Sequence, residues 1–163
     1  MQQRRLAQPS GGFAGDMGHA DPDVRRIMAS ASDQVGYVRA LVALCTARLI
    51  MPIVASGDET PHHDPDRHAE MAAVLVTGAT GERALLGFTG IDALTAWNRG
   101  ARPVLCTLDD LAATVPEAGA EALVLDIAGP TPFTIEQDVL AQLSAGRRLV
   151  ELDDGTFGWV MAS

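Results

Sequence analysis

The stretch VLVTGATG, residues 74–81, has the residue types and spacing of a phosphate-binding turn in a nucleotide-binding reductase. In such a turn a buried strand ends in glycines that let the backbone approach a pyrophosphate, and the positive end of a helix follows. Here the next residues, RALLGFT, are few, include Gly87 and lead into a new helix start at Thr89. We therefore predict that TGATG connects the strands of a hairpin and that the chain binds no cofactor. A reductase-like nucleotide site at TGATG is kept as an alternative.

A histidine-rich stretch, HHDPDRH at residues 62–68, is the second candidate for chemistry. Three imidazoles among carboxylates suit zinc or nickel as ligands. Pro61 and Pro65, however, prevent a helix that would hold the histidines at a fixed spacing, and a structural metal site needs a rigid supporting shell. We predict a solvated polar loop over 56–70 without a specific metal ion.

The two cysteines, Cys45 and Cys106, both lie among apolar residues. In a reducing compartment such residues are buried free thiols. Cys106 also ends a predicted strand just before a helix N-terminus, where a thiolate nucleophile would be stabilised. No histidine is expected near it, because all four lie in polar segments, and no complete set of nucleophile, base and orienting group is recognised. We assign no catalytic residue and keep a small enzyme acting through Cys106 as an alternative.

Charge and hydropathy exclude several classes of partner. The 163 residues carry a net charge of −9, and all twelve basic residues are arginine. This balance argues against binding to nucleic acid or to anionic membranes, which needs a clustered basic surface. The longest apolar run is interrupted by Arg39, Arg48 and Pro52, and no secretory signal is recognised at the N-terminus. We expect a cytoplasmic protein without a membrane span.

Alternating strands and helices must position the residues named above. Hydroxyl caps are predicted for three later helices, because Thr89, Thr107 and Thr134 each stand three residues before an acceptor side chain. The strands are predicted at 49–55, 72–77, 83–88, 102–106 and 122–126. A first helix is predicted at 22–31, behind the cap Asp21, and further helices at 34–47, 91–97, 108–116 and 135–145.

These elements predict one α/β domain over 21–163, behind a flexible leader at 1–20. We expect a mixed, partly parallel sheet of about five or six strands, with helices packed on it. Asp154-Gly155 predicts a C-terminal hairpin. The residues expected to be buried are Leu41, Val42, Leu75, Leu85, Val104, Leu111, Leu123, Leu125, Val139 and Leu143.

A ligand or partner site is predicted where parallel strands end. Strands 83–88, 102–106 and 122–126, linked by short helices, are expected to run parallel, so their carboxyl ends share one edge. Helix N-termini at this edge would favour an anion or a partner's carboxylate, and TGATG would lie at the opposite edge. The residues collected there are Thr89, Gly90, Cys106, Thr107, Asp126 and Gly129.

The order of these segments resembles the N-terminal domain family of SseB, the enhanced serine sensitivity protein B. The most specific stretches are LGFTGIDALTAW and ALVLDIAGPTPFT, and the leader GGFAGDMGHADPDV is similar to the start of actinobacterial members. The resemblance carries over no catalytic residue. Because no set of nucleophile, base and orienting group is recognised, we expect a non-catalytic accessory domain that binds no cofactor and whose partner is another, unidentified protein. The alternatives are an enzyme or ligand-binding domain using the Cys106 and Thr107 edge, or the reductase.

Overall fold

The computed structural model describes residues 11–55 and 71–162 of the chain. After a short 3-10 turn over Gly11–Phe13, helices and strands alternate in a mixed α/β fold, which confirms the predicted class. The predictions for residues 1–10 and for the 56–70 loop with HHDPDRH lie outside the described residues. The helices are α1 Pro22–Ala29, α2 Gln34–Cys45, α3 Ile91–Trp97, α4 Leu108–Glu117 and α5 Gln137–Ser144. The strands are β1 Leu49–Ala55, β2 Met71–Ala73, β3 Leu75–Thr77, β4 Arg83–Gly87, β5 Arg102–Cys106, β6 Ala122–Leu125, β7 Phe133–Ile135, β8 Arg147–Glu151 and β9 Phe157–Met161.

The strands form a mixed arrangement in which two sheets meet. One sheet has the order β2-β1-β5, and the other has the order β3-β4-β6-β7. An antiparallel bridge joins them, with Ile50 N donating to the carbonyl of Phe88 at 2.8 Å. Among the strands of the described residues, only β4 and β6 pair in parallel. Strands β8 and β9 form the predicted C-terminal hairpin.

Strand β5 runs in the same direction as β4 and β6, as predicted, but it pairs with neither, because β1 lies between and is antiparallel to both β5 and the end of β4. This strand pairs antiparallel with β1, where Leu49 lies opposite Cys106. Ile50 of β1 bridges to Phe88 just after β4, so β1 lies between β5 and the end of β4. Strand β1 is buried over most of its length, and it takes this central position because an interior strand needs apolar residues on both faces.

Apolar residues pack on both faces of the four-stranded sheet. Leu85 of β4 joins a large cluster formed with α2, α4, α5 and β6, whereas Leu86 joins a smaller cluster that includes Leu94 of α3. Successive side chains of a strand point to opposite faces, so β4 separates the two clusters. Six of the ten predicted core residues are buried and four are half-buried. The buried ones are Leu41, Leu85, Leu111, Leu123, Leu125 and Leu143, and the half-buried ones are Val42, Leu75, Val104 and Val139.

The hairpin predicted for TGATG is confirmed. Strands β3 and β4 pair antiparallel, and Gly78 N donates to the carbonyl of Glu82 at 2.7 Å. Gly81 has φ +87°, a left-handed conformation that favours glycine. Gly87 serves packing: a Cβ there would lie 2.8 Å from Leu125 Cδ2 and 3.1 Å from Leu111 Cδ1. Because the glycine turn leads directly into strand β4, it lacks the helix that a phosphate-binding turn requires.

One of the three predicted hydroxyl caps is confirmed. Thr107 and Asp110 form a complete capping box at the start of α4. By contrast, α3 begins after Gly90, and the hydroxyl of Thr89 bonds elsewhere. Thr134 lies within β7, a strand that the sequence did not predict, and α5 begins two residues later than expected. The hydroxyl of Thr89 bonds Asp126, 37 residues away, and Thr134 is taken up in the pairing of β7 with β6.

Candidate functional site

Asp126 is a fully buried carboxylate that follows the carboxyl end of β6. Its Oδ1 accepts a hydrogen bond from Thr89 N at 2.8 Å, and its Oδ2 accepts one from Thr89 Oγ1 at 2.6 Å. Asp126 adopts φ +54°, and its backbone N donates to the carbonyl of Gly87. This left-handed turn directs the carboxylate toward the residue that follows the neighbouring parallel strand.

Arg25 of α1 completes the cluster from the solvent side. Its Nε donates to Thr89 Oγ1 at 3.1 Å, so the hydroxyl links a guanidinium to the buried carboxylate. The terminal nitrogens of Arg25 hold Asp92 at 2.5 and 2.6 Å. These hydrogen bonds keep the pKa of Asp92 below its ordinary value, whereas burial raises the pKa of Asp126 against the lowering effect of Thr89. The polar groups of the cluster therefore satisfy one another.

Residues 13–20, which we call the strap, pass over this cluster. Arg48 holds the strap, because its Nε donates to Asp16 Oδ2 at 3.0 Å and its Nη2 donates to the carbonyl of His19. The same guanidinium donates to the carbonyl of Thr89 at 3.1 Å. Gly18 contributes its own carbonyl to Ile91 N, the first amide of α3, at 2.8 Å.

Gly90 is the point at which the strap lies closest to the strand ends. A Cβ at Gly90 would stand 2.6 Å from Ala20 Cβ and 2.9 Å from Ala20 N, so only glycine leaves room for the strap. Together with the bond from Ile91 N to Gly18, this contact covers the start of α3. Of the predicted edge, Thr89, Gly90 and Asp126 thus come together, and they do so beneath a segment of the chain itself.

The remaining residues of the predicted edge have other surroundings. Cys106 is fully buried beside β1, and burial raises the pKa of its thiol to about 12, the opposite of what activates a nucleophile. Thr107 is engaged in its capping box, and Gly129, at φ +101°, donates to the carbonyl of Asp126 in the turn after β6. Cys45 is also a buried free thiol, as predicted.

A different surface is open on the same sheet. A cavity of about 510 Å³ lies on the face of the four-stranded sheet away from α4 and α5. Its floor crosses all four strands, because Val76 lies opposite Ala84 and Ala84 lies opposite Ala122. Val124, next on this face of β6, lies opposite Thr134 of β7. The floor is apolar on β3, β4 and β6 and ends at Thr134 on β7. We call this cavity, with the residues that line it, the groove.

Three glutamates border the groove at one edge of the sheet: Glu82, Glu121 and Glu136. Glu82 precedes β4, Glu121 precedes the parallel β6, and Glu136 follows the antiparallel β7, so the strand directions bring all three to the same end. All three are exposed, and none forms an ion pair within residues 11–55 and 71–162. Within the part of the chain that the structure describes, no basic residue lines the groove.

The glutamate edge lies opposite the edge that contains Asp126. The amino ends of β4 and β6 lie at the glutamate edge, and their carboxyl ends lie at the edge with Asp126. The glycine turn lies at the glutamate edge, as predicted, and Gly78 lines the groove. Sequence reasoning missed the groove. Its only local signal was a glutamate directly before each of two predicted strands, Glu82 and Glu121.

Comparison with known families identifies the fold to which both edges belong. The family described as SseB protein N-terminal domain matches residues 24–142. The chain belongs to this family. The SseB domain match contains the Asp126 cluster and the groove, whereas the strap and the β8–β9 hairpin lie outside the matched residues. No curated protein and no solved structure matches the chain.

The SseB domain, as far as the structure describes it, offers neither a metal cluster nor a membrane-spanning element. Within the described residues, no three His, Cys, Asp or Glu side chains are grouped so that they could hold a metal ion. None of the described helices has the length and apolar character needed to cross a bilayer. The described residues thus contain two distinct polar features, the hydrogen-bonded cluster under the strap and the groove with its exposed glutamates.

Proposed function

We propose that this SseB domain is a non-catalytic accessory domain that binds another protein through the groove. The observation that carries the proposal is the apolar row across β3, β4 and β6, which ends at glutamates without ionic partners among the described residues. Burial of such a surface by a partner removes apolar area from water, which is the main driving force of protein association.

The condition of the polar residues elsewhere supports a role without catalysis. A catalytic base or nucleophile must reach a substrate with a free lone pair. Asp126 and Thr89 instead use their polar atoms on each other beneath the strap, and Cys106 is buried with a raised pKa. The strongest polar constellation of the domain therefore serves to connect its elements.

The dimensions of the groove favour a protein segment as its occupant. Neighbouring strands are about 4.8 Å apart, so a row across four strands is roughly 14 Å wide. The cavity of about 510 Å³ can accept a few side chains. Its lining alternates apolar residues of the floor with exposed polar residues of the border, which suits the mixed side chains of a peptide or a loop.

We also propose a cytoplasmic location and membership of the actinobacterial type within the family. The buried free thiols Cys45 and Cys106 support a reducing compartment. The strap and the residue after it support the subgroup, because residues 13–21 contain the pattern Phe13, Gly15, Asp16, Gly18 and Asp21. The strap contacts made by Asp16 and Gly18 give two of these residues a structural purpose.

Site-specific crosslinking in the native cell tests the docking function. A photoreactive p-benzoylphenylalanine replaces Thr77, an exposed residue that lines the groove, and the matched control replaces Ala113, exposed on α4. We expect one predominant protein crosslink from position 77 that is absent from position 113. Equal crosslinking from both positions, or none from position 77, would contradict docking at the groove.

A further inference from the structure

Resting on the proposed function, we infer that the groove selects a cationic segment of its partner, one that places arginine or lysine side chains at the glutamate edge and small apolar side chains over the sheet. The inference depends on the charges at the edge, on the shape of the floor and on the position of the nearest basic residue of the chain.

The charges at the edge are of one sign. Glu82, Glu121 and Glu136 border the groove, and the chain as a whole carries a net charge of −9. Like charges that are brought to one edge repel one another, and a cation relieves that repulsion. A basic segment is therefore attracted from a distance and oriented on arrival, whereas an acidic segment is repelled.

The chain supplies no cation of its own to this edge within the described residues. Arg83 is adjacent in sequence to Glu82, but its Nη1 would lie 3.8 Å from a Cβ at Gly119, just after α4. Since α4 packs on the other face of the sheet, the guanidinium of Arg83 is directed away from the groove. Glu82 Oε2 accepts hydrogen bonds from Thr80 N, at 3.2 Å, and from Thr80 Oγ1, so among the described residues Glu121 and Glu136 are the carboxylates left for an external cation.

The floor determines which side chains accompany the cation. Ala84 and Ala122 are opposite each other at its centre, with Val76 and Val124 beside them. Two small residues flanked by two larger ones leave a shallow depression, into which apolar side chains of a partner can fit. A partner segment with a basic residue next to small apolar residues therefore complements both the negative charge of the glutamate edge and the shape of the floor.

Fluorescence anisotropy with the full chain and a labelled ten-residue peptide tests this selection. The peptide alternates arginine with alanine and valine, and a second peptide has glutamate in place of arginine. We expect saturable binding of the arginine peptide only, weakened by added salt because the contacts are exposed charges. The variant Glu121→Gln/Glu136→Gln should bind the arginine peptide about tenfold more weakly, since each exposed ion pair contributes a few-fold.

Two control variants separate the groove from general acidity. Glu117→Gln/Glu151→Gln removes the same charge from exposed positions that do not line the groove, and its affinity should change less than about twofold. Ala122→Phe fills the floor and should weaken binding without any change of charge, and circular dichroism checks that this variant is folded. Spermidine, added as a competitor, tests whether a free polyamine is the preferred occupant.

The outcomes distinguish this inference from the docking function. Equal binding of both peptides, equal loss in the two glutamate variants, or displacement by equimolar spermidine would overturn the cationic-segment inference. If position 77 still crosslinks one protein in the cell after any of these results, docking at the groove is supported and only the selection of a cationic segment is contradicted. If crosslinking at position 77 also fails, both fall.

Discussion

The two polar edges of the four-stranded sheet differ in how they accommodate acidic side chains: one edge buries a carboxylate, and the other exposes its carboxylates to solvent. At the carboxyl ends of β4 and β6, Asp126 is buried and both of its oxygens accept hydrogen bonds from Thr89. At the amino ends, Glu121 and Glu136 are exposed and lack ionic partners among the described residues. The first arrangement stabilises the fold, and the second leaves charge available for recognition.

The difference shows why the more elaborate polar cluster is the poorer candidate for binding. A buried carboxylate is tolerated only when hydrogen bonds and nearby charges compensate its lost hydration. To meet that requirement, Thr89 donates its hydrogen bonds to Asp126, and Arg25 donates its hydrogen bonds to Thr89 and Asp92. Exposed glutamates need no such compensation, because water already solvates them.

The largest effect should come from removing the buried carboxylate. Asp126→Ala leaves Thr89 N without its acceptor in a buried site and places alanine at φ +54°, so we expect a loss of about 3 kcal/mol in the free energy of unfolding. Urea denaturation measures it. Asp126→Asn is the matched control, because it keeps an acceptor and tolerates the left-handed conformation. A loss under about 1 kcal/mol for Asp126→Ala would show that the cluster is not structural.

A smaller loss should follow from displacing the strap. Gly90→Ala places a methyl group 2.6 Å from Ala20 Cβ, so we expect a cost of about 1 to 3 kcal/mol from overpacking and faster proteolysis within residues 13–20. Gly100→Ala is the control, because the nearest atom there is a side-chain oxygen of Asn98 at 3.3 Å. Unchanged stability together with unchanged proteolysis in Gly90→Ala would mean that the strap does not press on the strand ends.

The two carboxylates beside Arg25 should respond to pH with opposite signs. Burial raises the pKa of Asp126, so the folded state retains a proton that the unfolded state has lost. The stability contributed by Asp126 therefore falls as pH rises above the ordinary carboxyl range near about 4. The hydrogen bonds from Arg25 lower the pKa of Asp92, so its contribution is present above that range and is lost as pH falls through its lowered pKa.

Urea denaturation of Asp126→Asn and Asp92→Asn between pH 3 and pH 8 separates these contributions. The stability of the native chain relative to Asp126→Asn should decrease as pH rises, and its stability relative to Asp92→Asn should decrease as pH falls. The same sign in both comparisons would contradict the assignment of a buried and a salt-bridged carboxylate.

The smallest effect on stability is expected at the groove. Glu121→Gln/Glu136→Gln should change the free energy of unfolding by less than about 0.5 kcal/mol, because both side chains are exposed and removing like charges costs no described contact. Urea denaturation at pH 7 is sufficient. A loss above about 1 kcal/mol would assign the glutamates to the fold and would remove the contrast between the two edges.

Features encoded within a few residues could be predicted from the sequence. The TGATG hairpin, the Thr107 capping box and the hairpin around Asp154-Gly155 are each formed by neighbours along the chain. Apolar periodicity likewise predicted six fully buried residues of ten. Such signals are readable because backbone conformation and capping depend on local sterics and local hydrogen bonds.

Thr89 and Thr107 show the limit of predicting helix caps from a local sequence pattern. Both begin the pattern Thr-x-x-Asp, yet only Thr107 caps its helix. The hydroxyl of Thr89 bonds Asp126, 37 residues away. The local signal is identical in the two cases, and the outcome depends on which side chain the tertiary structure brings near.

The sequence by itself determined the α/β class, the family and most of the element positions. Only the tertiary structure decided that β1 lies between β5 and Phe88, and that Glu82, Glu121 and Glu136 meet at one edge. The physical reason is that periodicity reports which face of an element is buried but not which strand lies beside it. The neighbours are chosen by pairing and packing summed over the whole sheet.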